Sequence, residues 1–224
     1  MIIGNGLIAS SFYTYDTSDC IIFASGVSNS NDNNVENFNR EKDLIVKVLS
    51  ENTGLKFIYF SSILAGITNN DYYNHKIDME NLIKSTSDNY LIFRVPQLIG
   101  FNGNKNNLIN YLTTSIKNKE TITIFDDITR ALVNIDDMVK IVMYCKVSCK
   151  NEILYLSHIE KVSVREIFDK VSDKLNINTN TVSPINNSVD NWDIHNSPII
   201  DLAIDNCGID RFDYINNIIT KYIK

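Results

Sequence analysis

Tyr72 and Lys76 stand four positions apart in a segment with helical periodicity, and these two residue types could together transfer a proton. Residues i and i+4 of a helix share a face, so the Lys76 ammonium can lie beside the Tyr72 phenol. A free phenol has a pKa of about 10, and a nearby cation lowers that pKa toward neutrality. Ser61 and Ser62 end an apolar run shortly before this segment, and a serine hydroxyl there could hydrogen-bond the same substrate oxygen. The same spacing also arises by chance, so the surrounding elements decide its meaning.

Composition limits the classes of function. The chain has 224 residues, of which 44% are hydrophobic and 21% charged, which is enough for a globular protein with a sizeable core. A net charge of -6 without clustered Lys and Arg excludes nucleic acid as a main partner. The sequence has neither an apolar run long enough to span a bilayer nor a cationic leader, so we expect no membrane association and a cytoplasmic location. The four cysteines lack metal-site spacing, and we predict reduced thiols and no metal.

A glycine-rich turn follows the first apolar run of the chain. Its residues, Gly4 to Ala9, form a Gly-x-Gly-x-x-Ala pattern that opens a predicted helix. Amide N–H groups at such a helix start can face a pyrophosphate. An ordinary tight turn explains the pattern equally well. A second apolar run, 20–24, also passes into a loop of small residues, which includes Ser25 and Gly26.

Apolar runs alternate with helical segments through the first half of the chain. The runs at 20–24, 55–60 and 90–95 are separated by helical periodicity at 35–50 and from Tyr72 onward. This alternation predicts a parallel sheet with helices on both faces. Ligands of such sheets bind at the carboxyl ends of the strands, where both glycine-containing loops, both serines and Pro96 fall.

The pattern changes in the second half of the chain. We predict helices at 108–116, 164–175 and 212–223, a further helix after the capping pair Asp136-Asp137, and short strands at 122–125, 131–135 and 152–156. The chain therefore divides into a core, residues 1–103, and a smaller, mainly substrate-binding lobe, residues 104–224, interleaved with the core sheet.

Five motifs, taken in order, resemble those of the extended short-chain dehydrogenase/reductases, and within that group the nucleotide-sugar epimerase, dehydratase and ketoreductase family. The resemblance covers nearly the whole chain and implies an α/β fold: a truncated Rossmann-like parallel sheet with helices on both faces and a small α+β substrate lobe. The motifs are Gly-Asn-Gly-Leu-Ile-Ala, Ser61-Ser62, Tyr72-x-x-x-Lys76, Arg94-Val-Pro-Gln-Leu-Ile-Gly100 and Arg130-Ala-Leu-Val-Asn-Ile-Asp-Asp137.

The resemblance implies roles for individual residues. Tyr72 would be the general acid/base, and Lys76 would lower its pKa and bond the nicotinamide ribose. Ser62 would be the catalytic serine, although Ser61 is an alternative because the motif is one residue short. The implied NAD or NADP site contains Gly4, Gly6, Leu7, Ile8, Ser25, Gly26, Tyr72, Lys76, Pro96 and Ile99, and the implied substrate site contains Ser62, Gln97 and Arg130.

Some matched residues have two interpretations. Arg130 matches an arginine that clamps the diphosphate of a sugar nucleotide, or is a surface arginine. Asn39 matches a residue that braces the active site, or is an ordinary helix asparagine. We interpret Asp136 and Asp137 as helix-capping residues, and His75 as an exposed or packing residue.

One departure separates the chain from the family pattern. Only a shortened first helix fits between Leu7 and Asp19, so the second and third strands of the dinucleotide fold are missing. The residue that holds the adenosine ribose, which distinguishes NAD from NADP, cannot be located. Either other loops such as 25–34 bind the cofactor, a partner subunit completes the pocket, or the protein has kept only sugar-nucleotide binding.

The sequence thus leads to an NAD(P)-dependent reductase of a nucleotide-activated ketosugar, acting in surface polysaccharide biosynthesis. A nucleotide-sugar epimerase and a non-catalytic sugar-nucleotide binding protein are the alternatives. Dehydration is disfavoured because Ile63-Leu64 stand where the dehydratases carry Asp-Glu. The expected partner is a nucleotide sugar, and a homodimer is an open alternative to a monomer.

Overall fold

The computed structural model describes residues 1–101, 107–126, 128–182 and 194–223. The predicted boundary between core and lobe, at 103/104, lies outside these residues. Within the described ranges the strands are β1 (Ile2–Ile3), β2 (Cys20–Phe23), β3 (Lys56–Ser62), β4 (Tyr90–Val95), β5 (Gln97–Ile99), β6 (Ile122–Thr123), β7 (Thr129–Asn134), β8 (Glu152–Tyr155), β9 (Lys161–Ser163) and β10 (Thr181–Val182). The helices are α1 (Leu7–Ser11), α2 (Val35–Glu51), α3 (Asp71–Thr86), α4 (Leu108–Lys117), α5 (Ile135–Ser148), α6 (Val164–Leu175), α7 (Pro198–Asn206) and α8 (Tyr214–Tyr222).

A five-stranded sheet in the order β1-β2-β3-β4-β8 forms the centre of the molecule, and every neighbouring pair in it is parallel. Its strands are nearly continuous apolar runs because both faces are covered. One face packs on α2 and α3 through residues such as Ile45, Tyr59 and Ile83, and the other packs on the second half of the chain through residues such as Ile58 and Phe93. The predicted α/β fold with helices on both faces is confirmed.

The sheet ends at β1 in the described part of the chain. β1 pairs only with β2, and the connection between them contains only the five-residue helix α1. The two further strands of a full dinucleotide fold are absent from this edge, as the short connection predicts. The glycine turn therefore lies at the border of the sheet, with no neighbouring strand beyond it.

The second half of the chain adds two small sheets and also contributes to the central one. β5, β7 and β9 form a three-stranded sheet, and β6 pairs with β10. β8 joins the central sheet beside β4, so the two halves interleave. Helices α4, α5 and α6 begin near the predicted positions. None of the helices in the described ranges is both long and apolar enough to cross a membrane.

Two predictions about this half are corrected. Asp136 and Asp137 do not cap a helix that follows them, because α5 begins at Ile135 and the side chain of Asn134 accepts the Asp136 N–H. The two aspartates lie in the first turn, where carboxylates favour the positive end of the helix dipole. The sequence interpretation also missed α7, and it placed the last helix two residues too early at its start.

Candidate active site

Helix α3 places Tyr72 and Lys76 on its inward face, as their spacing predicts. The Asn70 side chain caps the helix by accepting the Tyr73 N–H at 2.8 Å. Tyr72 and Lys76 are 8% and 2% exposed, and the Lys76 Nζ lies 5.6 Å from the centroid of the Tyr72 ring. The two groups are therefore neighbours in a largely dry environment, at one side of the central sheet.

Lys76 is paired with a carboxylate that the motif did not contain. Its Nζ donates to Glu41 Oε1 at 3.0 Å and to the Tyr59 hydroxyl at 3.1 Å. Glu41 lies on α2 and is fully buried, and Tyr59 lies on β3. The lysine charge is thus balanced within the protein before any ligand binds.

Glu41 collects hydrogen bonds from three further groups. The Val27 N–H donates to Oε2 at 2.6 Å, and the Tyr59 hydroxyl donates to Oε1 at 2.6 Å. The His75 Nε2 lies 3.0 Å from Oε2, and the His75 ring stacks on Phe38. His75 is therefore a buried partner of Glu41, and the prediction that it could be exposed is wrong. We call Glu41, Tyr59, His75 and Lys76 the Glu41 cluster.

Charge and burial compete in this cluster. Burial alone would raise the pKa of the Glu41 carboxyl, but the Lys76 charge and the hydrogen bonds from His75, Tyr59 and Val27 lower it to about 2. Burial lowers the pKa of Lys76, and Glu41 opposes that shift. The carboxylate is therefore ionised at neutral pH, and it supports the charged form of the lysine.

The pKa of the Tyr72 phenol does not move as the motif predicts. Burial raises it, and the charges of Tyr73 and Glu41 raise it further. In the protein without ligands, Tyr72 is consequently a neutral phenol that can donate a proton.

The two serines at the end of β3 face opposite sides of the sheet. Side chains alternate along a strand, so Ser61 shares the face of Tyr59, which contacts α3, while Ser62 lies on the other face. Ser61 is also paired in register with Arg94, whose guanidinium binds Glu80 of α3. Ser61 is 3% exposed and its hydroxyl has no hydrogen-bond partner among the described residues, whereas Ser62 Oγ accepts the Leu64 N–H at 3.3 Å.

The glycine turn packs closely against the second strand. Gly4 has a φ of +124°, and a Cβ there would lie 2.4 Å from the Ala24 carbonyl oxygen, so only glycine fits. Gly6 precedes α1 without a side-chain cap, and a Cβ on it would meet nothing within 4 Å. Leu7 and Ile8, the other predicted cofactor residues of this turn, are half-buried.

The loop after β2 lies directly on the Glu41 cluster. A Cβ on Gly26 would lie 2.8 Å from Glu41 Oε1 and 2.9 Å from Lys76 Nζ. Ser25 accepts hydrogen bonds from the Arg40 guanidinium, at 3.3 Å to its hydroxyl and 3.1 Å to its carbonyl. This loop was predicted to belong to the dinucleotide site, and the structure places it against Lys76.

The remaining predicted residues, Pro96 and Ile99 of the cofactor site and Gln97 and Arg130 of the substrate site, lie on β5, on β7 and directly before β5. Gln97 is exposed on β5, Pro96 is half-buried, and Ile99 is 2% exposed in the core. Arg130 lies on β7, where it donates to its neighbouring carbonyl at Thr129. Burial raises the pKa of Tyr73 near the start of α3, and the Arg130 charge opposes that shift.

Glu41 and Tyr59 are the members of this site that the motifs missed. A signal for Glu41 was present, because positions 38, 41, 45 and 48 form the apolar stripe of α2 and a glutamate interrupts it. Asn39, the residue matched to the family, is exposed on α2. No group of three metal-ligating side chains occurs in the described parts of the chain.

Comparisons with known proteins find similarity in structure alone. No family model and no curated protein sequence matches the chain. An RMD from Pseudomonas aeruginosa complexed with NADPH aligns with a TM-score of 0.72 and 13% identity, over 97% of this chain and 86% of that one. UDP-glucuronic acid 4-epimerase from Bacillus cereus, in complex with UDP-glucuronic acid and NAD, aligns with a TM-score of 0.68 and 15% identity, over 96% and 76% of the two chains.

A third structure aligns over a smaller part. UDP-N-acetylglucosamine 4-epimerase from Methanobrevibacter ruminantium, in complex with UDP-N-acetylmuramic acid, has a TM-score of 0.59 and 16% identity over 76% of this chain. The match spans 66% of that enzyme, slightly less than two thirds. Identities this low establish the fold and not the reaction. The chain shares the α/β fold of these three solved proteins, which confirms the fold class that the sequence predicted.

Proposed function

We propose that the protein is an NAD(P)-dependent oxidoreductase that reduces the carbonyl of a nucleotide-activated ketosugar in the cytoplasm, for surface polysaccharide synthesis. The observation that carries the proposal is the placement of Tyr72 and Lys76 on the inward face of α3, beside the serine end of β3. The fold is shared with proteins crystallised with NADPH or NAD, which supports the same cofactors here.

The glycine turn and the loop after β2 would contact the pyrophosphate and nicotinamide part of the cofactor. The open space over Gly6 leaves room for a pyrophosphate beside the glycine turn, and the loop of Ser25 and Gly26 adjoins Lys76. The nicotinamide, when bound, would supply the hydride. In the described part of the chain, nothing replaces the missing strands that would contact the adenosine end of the cofactor. The proposal therefore does not distinguish NADP from NAD. It includes a homodimer in which a partner subunit completes this edge.

The chemistry of the chain's own residues is proton transfer. Tyr72, a neutral phenol by burial, would hydrogen-bond the sugar carbonyl oxygen and donate its proton to it as the alcohol forms. The tyrosinate left behind would be stabilised by the Lys76 ammonium, which lies near its ring. A serine hydroxyl on the same oxygen would fix the carbonyl for the transfer.

The geometry favours Ser61 for that serine, although the motif favoured Ser62. Ser61 faces α3, and β3 runs opposite to α3, so the carboxyl end of β3 lies beside the half of α3 that carries Tyr72. A buried hydroxyl without a partner costs about 1–3 kcal/mol, a cost that a substrate oxygen would relieve. On the substrate side, Gln97 and Arg130 remain the proposed contacts to the sugar and the diphosphate.

Binding and turnover together test the proposal. Calorimetric titration with NADPH and NADH should detect binding of at least one, and Tyr72→Phe should abolish ketosugar reduction with little change in cofactor affinity. Ser61→Ala should lose far more activity than Ser62→Ala, and Tyr13→Phe, at an exposed tyrosine, is the control. Turnover that survives Tyr72→Phe would remove the proposed role, and equal losses in the two serine variants would remove the preference for Ser61.

Two other functions each have one supporting observation. Two of the structural neighbours described are UDP-sugar 4-epimerases, which favours epimerisation. An epimerase would interconvert two sugars without consuming NADPH, so the stoichiometry of NADPH use separates the two reactions. The open edge at β1 favours a non-catalytic sugar-nucleotide binding protein, which would bind a UDP-sugar and neither dinucleotide.

A further inference from the structure

We propose that Glu41 is a positioning residue of the candidate site, which holds the Lys76 ammonium in place and keeps it charged inside the protein. The proposal rests on the proposed function, because Lys76 acts on Tyr72 there. It adds to the Tyr-Lys pair a buried counter-ion on a different helix, which the motif does not include.

The position of Glu41 argues against an incidental surface contact. It is 0% exposed on the apolar stripe of α2, between Phe38 and Ile45. An unpaired carboxylate at such a position would be strongly destabilising, so interactions with its partners must offset the free energy cost of burying its charge. Every donor to it is itself buried or comes from the loop that packs on it.

The contacts also fix the orientation of the Glu41 carboxylate and of the Lys76 ammonium. Lys76 and Tyr59 approach Oε1, while Val27 and His75 approach Oε2, so both carboxylate oxygens are occupied and the side chain cannot rotate freely. Glu41 thereby joins α2, β3, α3 and the loop after β2 at a single point. A lysine side chain has four rotatable bonds, and this contact is what selects one direction for the Lys76 ammonium.

The second role concerns charge. Lys76 is 2% exposed, and a buried ammonium without a counter-ion loses its proton readily. The titratable and charged groups that face Lys76 come from three elements: Arg40 and Glu41 of α2, Tyr59 of β3, and Tyr72 and Glu80 of α3, with His75 on Glu41. Of these, Glu41 is the anion in hydrogen-bond contact with the ammonium, whereas Glu80 is engaged by Arg94.

The variant Glu41→Gln removes the carboxylate charge and keeps the side-chain shape, so it tests the proposal without an activity assay. Lysine labelled with ¹³C at Cε reports each lysine titration by NMR, and the Lys76 signal is assigned by its loss in Lys76→Met. In wild type, Lys76 should be protonated at pH 7, and in Glu41→Gln its titration should shift to lower pH. Glu51→Gln, an exposed glutamate on the same helix, should leave it unchanged. A neutral Lys76 in wild type, or an unshifted titration in folded Glu41→Gln, would overturn the proposal.

A measurement on wild type covers the case in which Glu41→Gln fails to fold. Reductive methylation should modify exposed Lys42 and Lys47 of α2 and spare Lys76, and equal reactivity would overturn the predicted contact. If the protein reduces a ketosugar, the alkaline limb of its pH–rate profile should move to lower pH in Glu41→Gln. If Lys76 titrates as predicted but neither dinucleotide binds, the proposed function is wrong. Glu41 would then still be the ion-pair partner of Lys76.

Discussion

Helix α3 contributes to two buried ion pairs one turn apart, and they differ in the cation they hold. Lys76 pairs with Glu41 of α2, while Glu80 receives two hydrogen bonds from Arg94 of β4, at 2.9 and 2.7 Å. Arg94 donates a further bond to the Tyr155 hydroxyl, and its guanidinium lies over that ring. The guanidinium stays charged at any accessible pH and matches the carboxylate with a planar fork, whereas an ammonium is a point charge that burial can neutralise.

The two cations also differ in the direction of their pKa shifts. Burial lowers and Glu80 raises the pKa of Arg94, and the net shift is upward, so this pair gains stability and never changes charge. The corresponding net shift of Lys76 is downward. Arg94–Glu80 joins β4 to α3, and Lys76–Glu41 joins α3 to α2.

Breaking the arginine pair should have the largest effect on stability. Arg94→Met leaves Glu80 buried without its partner, and loss of one member of a buried pair costs about 3–5 kcal/mol. Urea unfolding followed by circular dichroism measures the change. Arg211→Met removes a half-exposed arginine that pairs with Asp201 and Asp205, and should cost less than about 1 kcal/mol. Equal costs at the two sites would mean that the Arg94 pair contributes no more than a surface pair.

Acid should weaken the lysine pair over a defined pH window. The pKa of Glu41 is about 2 in the folded protein and near 4.5 in the unfolded chain, so the unfolded state binds the proton first as pH falls. The stabilisation is therefore complete above pH 4.5 and is lost as pH falls toward 2, and it amounts to about 3 kcal/mol. The difference in unfolding free energy between wild type and Glu41→Gln should shrink across that window. A constant difference from pH 5 to pH 2.5 would contradict the lowered pKa.

The sequence predicted the helices that carry these ion pairs better than it predicted the contacts between them. The 3.6-residue period placed Tyr72 and Lys76 on one face of α3, and the bounds of α2 and α6 were predicted within a residue. Those features depend on local periodicity. The Glu41–Lys76 contact joins residues 35 positions apart, and the orientation of Ser61 depends on where β3 ends relative to α3. Local patterns do not encode such tertiary distances, and so the motifs included Asn39 of α2 and did not include the buried Glu41 two positions later.

The smallest expected effect comes from the loop that covers the lysine pair. A Cβ on Gly26 would lie within 3 Å of both Glu41 Oε1 and Lys76 Nζ, and neither atom can move without giving up a hydrogen bond. Gly26→Ala should therefore cost about 1–3 kcal/mol, the usual range for overpacking. Gly6→Ala, where a Cβ meets open space, should leave the unfolding free energy nearly unchanged. If Gly26→Ala is as stable as wild type, the loop moves away from the ion pair at no cost, which would contradict the predicted tight packing. The predicted loss of stability would mean instead that the loop after β2 holds Glu41 and Lys76 at their present separation, because neither side chain can make room for the added methyl group without weakening their hydrogen bond.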